Sequence, residues 1–216
     1  MPDIDKINNV AVADISKLDS ITFADGQKVN NQDVSLVTDA HTLISTHTAS
    51  SDDTLDITSG IDSTYDVYEF HFVNIHPSAD SKKLRMIASS DGGSSYGIET
   101  TSTVFDSYHN EADDGYSLGY RGGAAQSTSE IIIGGSTGFD DDQACSGIMT
   151  LYAPSSDTYV KHFTAQIHQS SGSDFANNTF AAGYINTASA VDALQFSFDV
   201  GNIDAGVIKM YGLATS

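Results

Sequence analysis

The stretch ALQFSFDVG, residues 193–201, sets Leu194, Phe196, Phe198 and Val200 on alternate positions, with Gln195, Ser197 and Asp199 between them. A period of two suits a strand with one face buried and the other in water, because a helix returns to the same face only after three or four residues. The pattern recurs along the chain. In YDVYEFHFVNI, Tyr68, Phe70 and Phe72 oppose Glu69 and His71. In YVKHFTAQIH, Phe163, Ala165 and Ile167 oppose His162, Thr164 and Gln166. KKLRMIASS turns Leu84, Met86 and Ala88 inward and Lys83, Arg85 and Ile87 the other way. Further runs, EIIIGG, SGIMTLYAP, TFAAGYI and GVIKMYGL, are separated by Gly, Ser, Asp and Asn. The spacing predicts an all-β chain, an antiparallel β-sandwich of jelly-roll-like form, over about residues 41–213. Asp91-Gly92-Gly93 predicts a hairpin, and HTLISTHT, from His41, predicts an edge strand leading into the domain.

Ahead of the sandwich lies a repeat. DKINNVAVADI, residues 5–15, is followed at once by SKLDSITFADG, residues 16–26, so that Lys6 aligns with Lys17, Ile7 with Leu18 and Val10 with Ile21. A third copy starts at Lys28 with KVNN and breaks at Gln32, where an apolar residue is due. The pairs Asn8-Asn9 and Asp19-Ser20, flanked by β-branched residues, predict strand, turn, strand in each copy. Ile4, Ile7, Ala11, Ile15 and Leu18 also fall at helical spacing, which leaves a helix as the alternative. Either way, so small a unit cannot bury its apolar face alone. The division predicted is residues 1–32 as repeats and residues 33–216 as the sandwich with its Ser-, Thr- and Asp-rich lead-in. Ile4, Ile7, Val10, Val12, Ile15, Leu18, Ile21 and Phe23 are the predicted attachment and oligomer contacts.

Charge excludes one class of partner. Nine basic residues face 29 acidic ones, a formal net charge of -20, and such a chain repels a phosphate backbone. Nucleic acid is not expected, and no apolar stretch is long enough to predict insertion into a membrane as a helix. The opening MPDIDKINN has neither a cationic flank nor an apolar run, so no secretory signal is expected there. Cys145 is the only cysteine, which rules out an intrachain disulfide.

Motifs with chemical content are few. Gly134-Gly135-Ser136-Thr137-Gly138 fits the nucleophile-elbow pattern, yet FDDDQACSG follows it where a helix is required, and a Gly-rich surface turn is the expected structure. Asp140, Asp141 and Asp142 are the first place to look for an irregular calcium site, although no EF-hand loop is present and no cofactor is expected. The seven histidines lack the close pairing of a zinc site. The best recognition surface is YHNEADDGYSLGYRGG, in a middle stretch that reads as rich in loops, where Tyr108, His109, Tyr116 and Tyr120 offer ring faces and Arg121 a hydrogen-bonding cation. Packing of these tyrosines at a sheet edge or subunit contact is the competing reading.

Longer blocks carry a resemblance. TASSDDTLDITSGIDSTYDVYEFHFVNIHPSAD, ASSDGGSSYGIETTSTVFDSYHNEAD, PSSDTYVKHF and GYINTASAVDALQFSFDVGNIDAGVIKMYGL resemble a tail-fibre-like β-sandwich domain of virion structural proteins in marine phages, cyanophages especially. The resemblance runs over residues 41–213, and the opening repeat is similar to those that precede such domains. It implies a non-enzymatic virion part, assembled in the host cytoplasm and placed at the tail or capsid surface. Its implied partners are other virion proteins, further copies of itself (a trimer by analogy with fibres) and a host-surface glycan. A tail-fibre or tail-tip part comes first, and a capsid decoration protein or head fibre second. Outside the family, the alternative is a carbohydrate-binding module or glycan hydrolase. Within these blocks, Gly212 is expected to permit close packing at the end of the last strand.

Overall fold

The computed structural model describes Lys6–Ile7, Val10–Ala11, Lys28–Val29, Gln32–Asp33 and residues 41–129 and 131–213. The chain divides into two units, Met1–Ala40 and His41–Ser216. In the first unit, β1 (Lys6–Ile7) pairs antiparallel with β2 (Val10–Ala11), and β3 (Lys28–Val29) pairs with β4 (Gln32–Asp33). Ile7 stands opposite Val10 and Val29 opposite Gln32, so the third copy closes its ladder in the same register as the first. Gln32, where the sequence repeat breaks, still pairs in this ladder, because the ladder is made by main-chain groups that glutamine supplies as well as an apolar residue does. Of the predicted contact residues, Ile4, Val12, Ile15, Leu18, Ile21 and Phe23 lie outside the described residues.

Among its described residues, the second unit holds twelve strands. They are β5 (His41–Thr48), β6 (Leu55–Ile57), β7 (Val67–Pro77), β8 (Lys82–Ser89), β9 (Thr100–Asn110) and β10 (Tyr116–Gly122), then β11 (Ile132–Thr137), β12 (Cys145–Tyr152), β13 (Lys161–Ser170), β14 (Phe175–Ile185), β15 (Ala193–Phe198) and β16 (Ile203–Leu213). They form an eight-stranded sheet in the order β10-β9-β14-β13-β12-β7-β16-β5 and a four-stranded sheet in the order β11-β8-β15-β6. Every pairing is antiparallel. The fold is an all-β sandwich, and no helix occurs among the described residues. As expected, β5 is an edge strand.

The alternation sorts side chains as read. Tyr68, Phe70, Phe72, Leu84, Met86, Phe163, Ile167, Leu194 and Phe196 are all buried between the sheets. Phe196 meets Phe70 at 5.7 Å and Phe72 at 5.2 Å between ring centroids, joining the small sheet to the large one. Tyr68 brings a hydroxyl into this core and exchanges hydrogen bonds with the main chain of Asp62, accepting from its N–H and donating to its carbonyl, both at 3.0 Å. Gly212 packs against the ring of Tyr65, where a side chain would collide with it. Cys145 is buried, and desolvation pushes its thiol up to about 12, so it is an inert core residue.

Two local expectations fail for tertiary reasons. Val200 is exposed, because β15 ends at Phe198 and the chain has begun its turn into β16. Asp91-Gly92-Gly93 makes a turn but no hairpin: β8 belongs to the small sheet and β9 to the large one, so the segment carries the chain across the sandwich. The Asp91 carboxylate organises that crossing. It accepts from the Ser89 hydroxyl at 2.7 Å, from the Ser95 N–H at 2.9 Å and from the Ser95 hydroxyl at 2.5 Å. These donors, the Ser89 hydroxyl first, hold the carboxyl at about 2, below its ordinary 3.8. Its stabilising effect is therefore fully present above pH 3.8 and is lost as pH falls through about 2. Asp91→Asn is expected to have a lower urea midpoint than the wild type at pH 7, with the gap closing at pH 2. A gap that persists unchanged at pH 2 contradicts this account.

Candidate functional site

The eleven-residue strands β9 and β14 and the edge strand β10 extend past the small sheet, whose outermost strand, β11, packs over β13 and β14. Part of the inner face of the large sheet is thus left uncovered, and a cleft of about 500 Å³ opens between it and the β8–β11 edge. The floor is set by strand register. Asp106 stands opposite Thr179 and Gly119, and Tyr108 stands opposite Asn177 and Ser117. From the other side come Gly135 and Ser136 of β11 and Lys83 of β8.

Arg121 crosses this floor. Its Nε donates to Asp106 Oδ1 at 2.6 Å, and its guanidinium carbon lies 6.0 Å from the centre of the Tyr108 ring. Gly119 lies beneath it, where a side chain would meet the guanidinium carbon at ordinary van der Waals distance. Asp106 is buried and Arg121 half-exposed, so the pair is fixed at its carboxylate end and open to solvent at the guanidinium end. Tyr108 also meets Phe175 at 4.9 Å between centroids and 64°, a corner of two rings at the cleft wall. Asn177 completes that wall, and its buried Oδ1 accepts no hydrogen bond among the described residues.

The glycine-rich motif has a packing explanation. Gly134 and Gly135 belong to strand β11, not to the surface turn that was expected. They let β11 pass close over β13 and β14, where a side chain on Gly135 would stand 2.7 Å from Thr179 Oγ1. Beneath them the buried Gln169 is satisfied from two sides, donating to the Ile167 carbonyl at 3.0 Å and accepting from the Thr179 hydroxyl at 3.1 Å. No helix follows Ser136, so no nucleophile elbow forms.

The five residues expected to make one recognition surface in loops lie on strands instead and are divided between the two faces of the β9–β10 hairpin. Tyr108 and Arg121 line the inner cleft. His109, Tyr116 and Tyr120 stand at the alternate positions, on the outer face. There His109 stacks on Tyr116 at 6.1 Å and 10°, and its Nε2 lies 3.1 Å from Asp113 Oδ1. Tyr120 pairs across the strands with Phe105, which stacks on Phe180 at 4.9 Å. Asp106 lies two residues from Tyr108 and so on the same face, which the alternation alone could have revealed. Phe175, Asn177 and Ser136 carry no such signal, since they reach the cleft from distant strands.

Asp140, Asp141 and Asp142 are exposed in the loop between β11 and β12. Asp140 and Asp142 border a second hollow of about 630 Å³ with Glu111, Asp174 and His168. Among the described residues no three His, Cys, Asp or Glu side chains converge to hold a metal. His71 and His41 both approach the Glu69 carboxylate, at 3.0 and 3.1 Å. Compared with known proteins, the chain matches no family model, and neither a curated protein nor a solved structure matches it significantly.

Proposed function

We propose that this chain is a non-enzymatic structural part of a phage particle, of tail-fibre or tail-tip kind. Its N-terminal repeats anchor it, and its sandwich is presented for assembly or host-surface attachment. The observation that supports the reading is the outer face of the eight-stranded sheet. The strand registers carry one row from Tyr120 through Phe105, Phe180, Gln166 and Ile148 to His71, with no carboxylate in it. The row beside it, from Thr103 through Ala182, Thr164 and Thr150, reaches a single acid at Glu69. On a chain with 29 acidic residues, a broad face so poor in carboxylates and so rich in rings is a contact surface. Its open border supports the same conclusion: Tyr116, Leu118 and Tyr120 on edge strand β10 are 76, 72 and 72% exposed. An edge strand normally carries lysine, proline or a cover against pairing, and YSLGYRG has neither lysine nor proline.

The occupant favoured is another copy of the chain, in a homo-oligomer whose trimeric form rests on analogy with fibres alone. Removing residues 1–32 is expected to yield soluble sandwich that no longer enters particles, as read by mass spectrometry of purified virions. Normal incorporation of that truncated chain overturns the anchoring role. The same spectra discriminate location, since low copy number marks a tail part and high copy number a shell decorator.

A further inference from the structure

We infer that the cleft between the β9–β10 hairpin and β11 is a binding site for a neutral pyranose sugar residue. The inference does not rest on the particle-bound reading, since it follows from the cleft alone. A pyranose requires an apolar wall for its C–H face, hydrogen-bond donors and acceptors side by side for neighbouring hydroxyls, and a hollow of small-molecule size. All three are present. The Tyr108 and Phe175 rings, set at 64°, form the apolar corner. Beside it, Arg121 donates its Nε–H to Asp106 Oδ1, and the four outer N–H groups of the guanidinium sit at the half-exposed end of the pair. Donors and an acceptor are thus held in one rigid pair, as adjacent hydroxyls require. Asn177 adds an amide whose acceptor has no partner among the described residues, and such a group gains by turning toward a ligand hydroxyl. The volume, about 500 Å³, falls in the range of small-ligand sites.

Asp106 offsets Arg121 within the site, and the exposed Lys83 is the further charge on the lining. The neutral class is selected by the field of the whole chain. The net charge of -20 disfavours approach of polyanionic glycans, over a range that salt limits to about 8 Å. Tyr116 and Tyr120, on the opposite face of the hairpin, take no part.

The test titrates the full-length chain with methyl glycosides of glucose, galactose, mannose and N-acetylglucosamine, with methyl glucuronide as the charged control. Binding is followed by nuclear magnetic resonance at the Arg121 Nε–H and the amides of β9 and β14. At least one neutral glycoside is expected to give saturable shifts there. Ser136→Trp, which fills the cleft from β11, is expected to abolish them with the rest of the spectrum intact. Tyr108→Ala is expected to weaken binding about ten-fold, the loss of one ring contact. If Ser136→Trp disturbs the fold, Tyr108→Ala decides alone. Absence of saturation with every neutral glycoside overturns the inference, as does saturation by the glucuronide only or equal affinity in the wild type and the deciding variant. Success here with the protein absent from virions would leave the sugar site standing and remove the particle-bound role.

Discussion

Lys161→Ala is expected to lower the free energy of unfolding by about 3 to 5 kcal/mol, read as a fall in the urea midpoint with an unchanged slope. Lys161 occupies an inward position of β13 and is fully buried, in a chain with only nine basic residues. Its ammonium donates to three carbonyls, those of Tyr159 at 2.7 Å, Thr187 at 3.1 Å and Ala188 at 3.2 Å. Three N–H groups meet three acceptors, so the charge is solvated by the main chain itself. Burial pushes its pKa below the ordinary lysine value, with the charge of Asp157 acting the other way. The three acceptors belong to two loops, before β13 and after β14, so the side chain ties both loops to the end of the sandwich. Alanine removes the tie, opens a cavity and strips three carbonyls of a charged donor. Lys161→Met restores most of the volume without the hydrogen bonds and is expected to fall between the two. An unfolding free energy for Lys161→Ala within about 1 kcal/mol of the wild type would sink this account of the loops, given the roughly 1 kcal/mol that even one ordinary hydrogen bond contributes.

Phe196→Ala is expected to cost about 3 to 5 kcal/mol and to appear as a lower melting midpoint by calorimetry. Phe196 is fully buried and is the ring of the small sheet that meets both Phe70 and Phe72 of the large one. Removing it leaves a hole between the sheets, which Phe70 and Phe72, both held by the hydrogen-bonded ladder of β7, cannot collapse to fill. Phe196→Leu fills most of that space, and the expected loss is about 1 to 1.5 kcal/mol. An alanine variant that melts with the wild type would mean that the two sheets are held together elsewhere.

The two positions differ in how readily the sequence shows them. Phe196 is legible at once, as one of an alternating set in ALQFSFDVG. Lys161 is legible only in part. Counting back by two from Ile167, Ala165 and Phe163 lands on it, which puts a charge at an inward position. Its acceptors are invisible from there, since Thr187 and Ala188 are brought in by the pairing of β13 with β14. The candidate site divides in the same way. Tyr108 and Arg121 were legible as ring and cation, but their joint separation from His109, Tyr116 and Tyr120 follows from strand parity, and their cleft follows from where the small sheet stops. Val200 shows the limit of the pattern itself, which says nothing about the residue at which a strand ends.

By itself the sequence determined the all-β class, most of the strands and, for β7, β8, β13 and β15, which side chains turn inward, while β9 and β10 stayed hidden in a stretch that reads as loops. That information is local: a two-residue period and the turn residues between runs act over a few bonds, whatever the rest of the chain does. Only the tertiary structure decided that Asp91-Gly92-Gly93 leads across to the other sheet, that eight strands lie against four, and that β9, β10 and β14 overhang to open a cleft. These depend on which strand pairs with which. Main-chain hydrogen bonds are alike in every strand, so that choice is made by packing of the whole core and not by any one segment.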